Sequence, residues 1–489
     1  MTHLASFWLD LSILLPLVGG ICLLRLSDAF YARRWAIVIS GITLLGLVIT
    51  WGSHLNGGSP SGMAMGYSLT GAATGRELFR VDALNAPLLP AIALLHFLTT
   101  FTTVRTKIRR FSFGWTLIAE SLSLATLAAA DARTTIACAI LATIPPYFEL
   151  RVRGRPTGAY VAHMLAFAVT LLWGWSVVEW EGGGRVHTLY AVVPLLAAVL
   201  IRTGIAPWHC WATELFEHAT FGTALLFVAP IAGACLAVRL VLPVAPDWVI
   251  RGMGLLSLAT AVYASGLSLI QGEARRFFCY LFLSHSAMVL VGLEMKTDIG
   301  LCGGLCVWLS VIVSLGGFGL VLRAIEARRG RIILGEHLGL YDHTPALALC
   351  FMVTGLGSVG FPGTLGFIGT ELLVDGAVTV YPYVGAAIVV AAAMNGIAVV
   401  RAYLLLFAGP RHSSTVSLAL GARERIAILS VLAIVVFPGL LPHRTVASRY
   451  RAAEDLLRLA DSESHPRATS PSSGGNAGVS EADSHHSEH

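Results

Sequence analysis

Side chains able to hold or pass a proton are few in this chain, and several sit inside long apolar stretches. Glu120 stands ten residues beyond Arg110, about 15 Å along a helix axis and so near the middle of a bilayer. His285 lies nine residues beyond Arg276, at a similar depth, and Arg202 and Arg401 also interrupt apolar runs. Ionisable groups in hydrocarbon are costly, and they are usually paired or functional. A buried carboxylate or imidazole can load and unload a proton near neutral pH. Arginine keeps its proton at any accessible pH, so Arg202 and Arg401 can act only as fixed charges. Glu120, Arg202, His285 and Arg401 are therefore the candidate ion-translocation residues. The expected pair is Glu120 facing Arg202, with a local bond from a serine to Glu120 as the alternative. Arg401 reads as a second midplane charge, or else as a side chain that snorkels to the nearer face. Glu149, beside Arg151, Arg153 and Arg155, reads as a surface ion pair. His209, Glu214, Glu217 and His218 form a patch at a cytoplasmic mouth, suited to collecting cations or meeting a partner.

The elements that must position these groups are membrane helices. Of 489 residues, 56% are hydrophobic and only 12% charged, and the mean hydropathy is +0.74. Soluble domains carry about 25% charge, so a water-exposed globule, a disordered chain and a disulfide-stapled scaffold are excluded. A bilayer crossing needs about 20 apolar residues. Fourteen such stretches occur, near 4–26, 35–52, 83–104, 113–130, 134–150, 158–180, 188–208, 221–243, 248–270, 276–294, 299–323, 344–369, 380–408 and 424–442. The first contains Asp10 and no small-residue cleavage site, so it reads as a retained helix.

Charge alternates along the connecting loops. One set holds nineteen basic residues, among them Arg33, Arg34, Arg109, Arg110, Arg153, Arg275, Arg328 and Arg411; the other holds six, including Arg185, Arg251 and Lys296. This positive-inside pattern puts both termini outside a cytoplasmic (inner) membrane. Lysine occurs only twice, as Lys107 and Lys296. Residues 53–80 read as an external loop. Residues 443–489 read as an amphipathic start and then a polar, disordered tail, in which His485, His486 and His489 are weak metal candidates. Scattered cysteines without a paired spacing, and the lack of a P-loop or GxGxxG motif, imply no cofactor, no resident metal and no nucleic-acid partner.

Two spans are broken by glycine and proline, one at Gly204 and Pro207, the other at Gly360, Pro362 and Gly363. Each break falls in the fourth helix of a five-helix unit, and the two units run in opposite senses. Paired broken helices in an inverted repeat are the sequence signature of a transporter site near the midplane. The expected organisation is a three-helix segment (1–112), a first repeat (113–246), a second, inverted repeat (247–410), a last transmembrane helix (411–442) and the tail (443–489). The fold class is all-α.

Three stretches resemble the antiporter-like superfamily of membrane subunits, found in NADH–quinone oxidoreductases, multisubunit cation/proton antiporters and two-component inorganic carbon pumps. Gln271-Gly272-Glu273-Ala274-Arg275-Arg276, with Tyr280, Ser284 and His285, is similar to its Q-x-D/E-x-K-R-x-x-x-Y-x-x-x-S-H/Q motif. Gly360 to Thr364 with Phe367 and Gly369, and Arg202 to Trp211, match two more. The resemblance implies proton movement along a midplane row of a fifth-helix carboxylate and several lysines or histidines. This chain departs from that row. Leu141, Arg202, Ile231, Leu225, Val311 and Thr370 stand where titratable groups are expected.

The resemblance implies an ion-translocating subunit, with no catalytic chemistry of its own, that couples a proton or sodium gradient to a cytoplasmic or membrane partner. The segment Gly363–Leu373 and Met394-Asn395-Gly396 look most like inorganic-carbon-pump subunits, whose partner is a zinc-containing carbon-hydrating protein. The alternatives are a pumping subunit of a respiratory or antiporter complex, and a non-conducting scaffold.

Overall fold

The computed structural model describes residues 2–55, 69–182, 187–410 and 421–464. The helices are α1 (Thr2–Leu24), α2 (Ala29–Leu55), α3 (Leu69–Thr74), α4 (Leu88–Phe101), α5 (Phe113–Ala128), α6 (Ala132–Leu141), α7 (Ile144–Val152) and α8 (Gly158–Glu181). Next come α9 (Leu189–Thr203), α10 (Cys210–His218), α11 (Phe221–Val228), α12 (Ala232–Leu236), α13 (Asp247–Ile270), α14 (Ala274–Glu294), α15 (Asp298–Ser310) and α16 (Gly316–Arg329). The last are α17 (Pro345–Val359), α18 (Leu365–Val380), α19 (Pro382–Phe407), α20 (Ala422–Leu440) and α21 (Pro442–Ser464). A 3-10 turn at Arg105–Arg110 follows α4, and wide π-type turns occupy Ala237–Val241 and Val311–Leu315. Among the described residues the only strand-like pairings are two isolated bridges. The fold is all-α, as expected.

Nine helical segments among the described residues are long and apolar enough to cross a bilayer, and four shorter apolar helices accompany them. The other five of the fourteen expected stretches are the four short helices Leu88–Phe101, Phe113–Ala128, Leu189–Thr203 and Pro345–Val359, and Ala422–Leu440, which bends by 81° into the next helix. Two of the nine are themselves interrupted. The fifth stretch breaks at Ala142–Thr143, just ahead of Pro145 and Pro146, and the eighth breaks after Val228, at Pro230. Proline cannot donate the helical hydrogen bond and crowds the preceding turn. The twelfth stretch, expected at 344–369, is a broken pair, α17 and α18, that runs on to Val380.

Burial sorts the helices. The segments Phe221–Val241, Ala274–Glu294 and Asp298–Arg329 are each 94% buried, whereas Gly158–Glu181 is 28% buried and exposes Leu165, Trp173 and Trp180. Helices that are apolar all round thus form the centre, and others offer one face to lipid. At that centre α14, α15 and α18 approach through glycine: Gly292 lies against Gly304, and Gly303 against the backbone of Leu372 and Leu373. In lipid, close packing of small residues drives helix association.

α21 covers the amphipathic start of the 443–489 segment. It leaves α20 at 81° and docks on the bundle. The buried Arg449 donates to the carbonyls of Leu84 (2.8 Å) and Ala83 (2.7 Å), and Ala452 and Ala453 are buried beside it. The expected external loop is helical at its ends, in α2 and α3. Residues 56–68, Arg185, Arg411 and the tail histidines His485, His486 and His489 lie outside the described residues.

Replacing Gly303 with valine should push α15 off α18 and cost about 1–3 kcal/mol or more. Thermal unfolding of the purified protein measures this. A variant as stable as the parent would show that the close approach is dispensable.

Candidate functional site

The two broken helices end in the same way. α9 terminates at Gly204 (φ 72°) and α17 at Gly360 (φ 103°), both in the left-handed region that closes a helix and that glycine adopts without strain. The chain then resumes as α10 and α18. Each break frees backbone groups that must find partners inside the protein. At the first, Trp211 Nε1 donates to the Ile201 carbonyl (2.9 Å) and the Ala206 amide donates to Thr260 Oγ1 (3.2 Å). At the second, Thr364 Oγ1 donates to the Phe361 carbonyl (2.6 Å).

Arg202 occupies the last turn of α9 and is buried. Its Nη2 donates to the Phe227 carbonyl (3.1 Å), at the end of α11. Its guanidinium lies 4.0 Å from the Phe227 ring centroid and 5.7 Å from that of Trp211. A carbonyl and two aromatic faces thus hold the charge, an arrangement suited to a planar guanidinium. The expected partner is elsewhere. Glu120 is fully buried, but its Oε1 accepts from Ser40 Oγ (2.9 Å) on α2, and its Oε2 has no hydrogen-bond partner. The reason lies in helix phase. Thr116, Ala119, Ser123 and Thr126 of α5 line a cavity with Arg202, and Glu120 projects about a quarter turn off that face. The Glu120–Arg202 pair is not formed; a serine does bind Glu120, but from α2 and not from beside it in the chain.

The carboxylate that does share the Arg202 cavity is Glu149, on α7. Its position beside three arginines suggests the surface, but only 6% of it is exposed. Its Oε1 accepts from the Thr220 amide (2.6 Å), its Oε2 from the Thr223 hydroxyl, and Arg153 stands 3.7 Å away. Fifth-helix counting ends at Leu141, which is exposed. The signal that such counting misses is Pro145-Pro146, which restarts the helix and turns Glu149 inward. The cavity is about 30 Å³ in volume, room for two or three waters at roughly 10–15 Å³ each.

His285 is buried on α14. Its Nδ1 lies 2.8 Å from the Leu281 carbonyl, and its ring also meets the backbone of Ser358, two residues before the Gly360 break. Next to it, Asn395 Nδ2 donates to Ser284 Oγ (2.9 Å), which donates to the Ala261 carbonyl (2.8 Å). Ser310 and Ser314, 3.4 Å apart, flank the start of the π-type turn where Val311 replaces the expected titratable group. The second half thus carries a neutral polar cluster at its break. Sequence reading does not single out Ser284, Ser310, Ser314 and Asn395 as site residues; serine or asparagine in an apolar helix is the signal.

Arg401 Nη1 donates to the Gln271 carbonyl (3.3 Å), just after α13, the kind of contact that a snorkelling side chain would make. The cytoplasmic-mouth patch is partly consumed by structure. Glu217 is bound by Arg276 (2.7 Å), and its carbonyl accepts from Arg331. His209 stands just before α10 and packs against Tyr263 and Tyr280 (centroids 5.8 and 6.1 Å). Glu214 and His218 lie on α10, both partly exposed.

Two broken helices with buried polar groups at their breaks, set in a polytopic apolar bundle, define a membrane protein of the discontinuous-helix class. The family described as "NADH:quinone oxidoreductase/Mrp antiporter, TM" matches residues 178–395. NADH-quinone oxidoreductase subunit 13 of Thermus thermophilus is 26% identical over 88% of this chain and 95% of its own length. NAD(P)H-quinone oxidoreductase chain 4 of a Synechococcus strain is 24% identical over 95% and 92%. In fold, the chain is similar to one in respiratory complex I from Thermus thermophilus with bound NADH (TM-score 0.79, 24% identity, 92% of this chain and 99% of that one). It is also similar to a chain of the Mrp complex from a Dietzia species (TM-score 0.78, 16% identity, 94% and 100%). These likenesses agree with the resemblance to the antiporter-like superfamily of membrane subunits that the motifs carry.

If Ser40 holds Glu120, the effects of Ser40→Ala and Glu120→Gln on stability will couple by about 1 kcal/mol in a double-mutant cycle. The exchange of Glu120→Arg with Arg202→Glu will rescue nothing lost in the single variants. Additive effects in the cycle, or rescue by the exchange, would reverse this assignment.

Proposed function

We propose that this chain is a proton-conducting membrane subunit of the NADH–quinone oxidoreductase or cation/proton antiporter type, working beside partner subunits. The observation that carries this reading is the cavity at the first break, which sets the Glu149 carboxylate and the fixed Arg202 charge around space for water. Arg202 cannot give up its proton. It supplies a constant positive potential instead, and Glu149 is the group that takes a proton from the arginine-rich side and returns it through cavity water. His285, at the second break, is the relay candidate on the far half. In this reading the chain crosses the cytoplasmic membrane fourteen times as an inverted repeat, with both termini outside. The matching left-handed ends of α9 and α17 support that symmetry.

The relatives described above carry respiratory and antiporter names, and the inorganic-carbon reading with its zinc-containing partner has none of them behind it. The respiratory or antiporter reading is therefore preferred.

Proton uptake into proteoliposomes, followed with an entrapped pH dye and with co-purifying partners retained, tests the proposal. Glu149→Gln and Arg202→Gln should each slow uptake by about tenfold or more, with thermal stability checked in parallel. Uptake no faster than in protein-free vesicles would favour the scaffold reading. Full uptake in both variants would move the path away from this cavity.

A further inference from the structure

At the end of the bundle that carries the arginine-rich loops, a second cavity of about 220 Å³ opens. It lies between the 3-10 turn Arg105–Arg110, the residue following α7, and helices α14, α16 and α20. On the same measure one water needs roughly 10–15 Å³, so the space takes a polyatomic group with some of its hydration. Six basic side chains line it against two carboxylates.

Both carboxylates are already engaged, Glu326 by Arg275 (2.5 Å) and Glu424 by Arg328. Two of the lining cations are paired with carboxylates outside the wall, Arg331 with Glu273 and Arg153 with Glu149. Three remain. Lys107 and Arg110 form no ion pair among the described residues. Arg323 gives its Nη atoms to neutral oxygens, the Thr99 carbonyl (2.6 Å) and Thr103 Oγ1 (2.7 Å). Burial lowers the Arg153 guanidinium from its ordinary value; Glu149 opposes that, and the like charges of Arg275, Arg155 and Arg110 add to it. A partly desolvated wall with this excess of positive charge attracts a counter-anion.

We propose that this cavity binds a phosphate-class oxyanion, supplied either by the headgroup of an anionic phospholipid or by free inorganic phosphate. The chemistry fits on three counts. Guanidinium groups and an ammonium converge from separate elements, and a tetrahedral oxyanion presents acceptor oxygens in all those directions. Thr102 and Thr220 line the same wall. Basic pockets between membrane helices on the cytoplasmic side are suited to lipid phosphates.

The test uses the full-length protein, delipidated in detergent at constant ionic strength. The probes are sodium phosphate and phosphatidylglycerol in mixed micelles, with chloride and phosphatidylcholine as controls. Binding is read by thermal unfolding and by native mass spectrometry. At least one phosphate probe should bind and stabilise the protein beyond its control, and Lys107→Gln/Arg110→Gln should weaken that binding about thirtyfold. Binding of the lipid alone assigns the headgroup, binding of phosphate alone assigns the free ion, and either supports the site. Because Arg323 also holds the end of α4, the Lys107/Arg110 variant is the deciding one and Arg323→Gln is secondary. Stabilisation no greater than with chloride and phosphatidylcholine, or undiminished in the Lys107/Arg110 variant, would overturn the proposal.

Discussion

The interaction on which this architecture rests is the hydrogen bond from an arginine to the free carbonyls at a helix end. A helix leaves its last four carbonyls without partners, and in a bilayer no water is at hand to take them. Here arginine takes them repeatedly. Arg33 and Arg323 bind the last turn of α4 at Phe101 and Thr99. Arg239 binds Leu127 at the end of α5, and Arg275 binds Phe216 and Ala219 at the end of α10. Arg202 binds Phe227 of α11, Arg401 binds Gln271 after α13, and Arg449 binds the loop carbonyls of Ala83 and Leu84. The positive group also complements the negative end of each helix dipole. A chain with two lysines and many arginines makes sense on these terms. A guanidinium spreads several donors in a fixed fork, so it can reach a carbonyl and a second acceptor together, as Arg239 does with Leu127 and Asp82.

The same interaction explains Arg202, one of the departures from the pattern that the motifs resemble. Where the motif that the chain resembles has a lysine, this chain carries a group bound to the end of α11 and packed against two aromatic rings that meet edge to face. The break in the eighth span leaves the Phe227 carbonyl open, and the break in the seventh brings Arg202 to it. Structural support and charge placement are thus one contact, and neither can be altered without the other. Under the proposed function, the role that the resemblance gives to one lysine, positive and then neutral, is divided between a permanent cation and a separate carboxylate.

How much of this is legible in the sequence follows from what each feature depends on. Apolar length, loop arginines and the Gly/Pro breaks are local properties, and they locate the helices and both interruptions. The motif around Gln271 to His285 is equally local and points to the family. Pairings depend on helix phase and on neighbours distant in sequence. Residue counting puts Glu120 at the right depth but on the wrong face, because depth follows from counting and facing does not. It misplaces Glu149 because two prolines reset the helix phase after Leu141. For Arg401 it counts distance from the membrane face along the chain, which does not show that the long stem reaches the Gln271 carbonyl just after α13. The docking of α21 hinges on Arg449 meeting a loop some 365 residues earlier, which periodicity cannot reveal.

The size of the first cavity constrains how charge could pass. A volume of about 30 Å³ holds two or three waters, enough to join Glu149 to its immediate surroundings but not to span a bilayer half. A longer water wire needs extra volume, and the broken helices are where it can be found. A helix interrupted at a left-handed glycine has no continuous ladder of hydrogen bonds to resist a change in angle between its halves, whereas an intact helix such as α14 does. Widening between α9 and α10 would admit water beside Arg202 without breaking its bond to α11, since that bond is made from the last turn of α9. In the proposed function, hydration and backbone interruption therefore act together: the break controls the access of water to the cavity that Arg202 and Glu149 line.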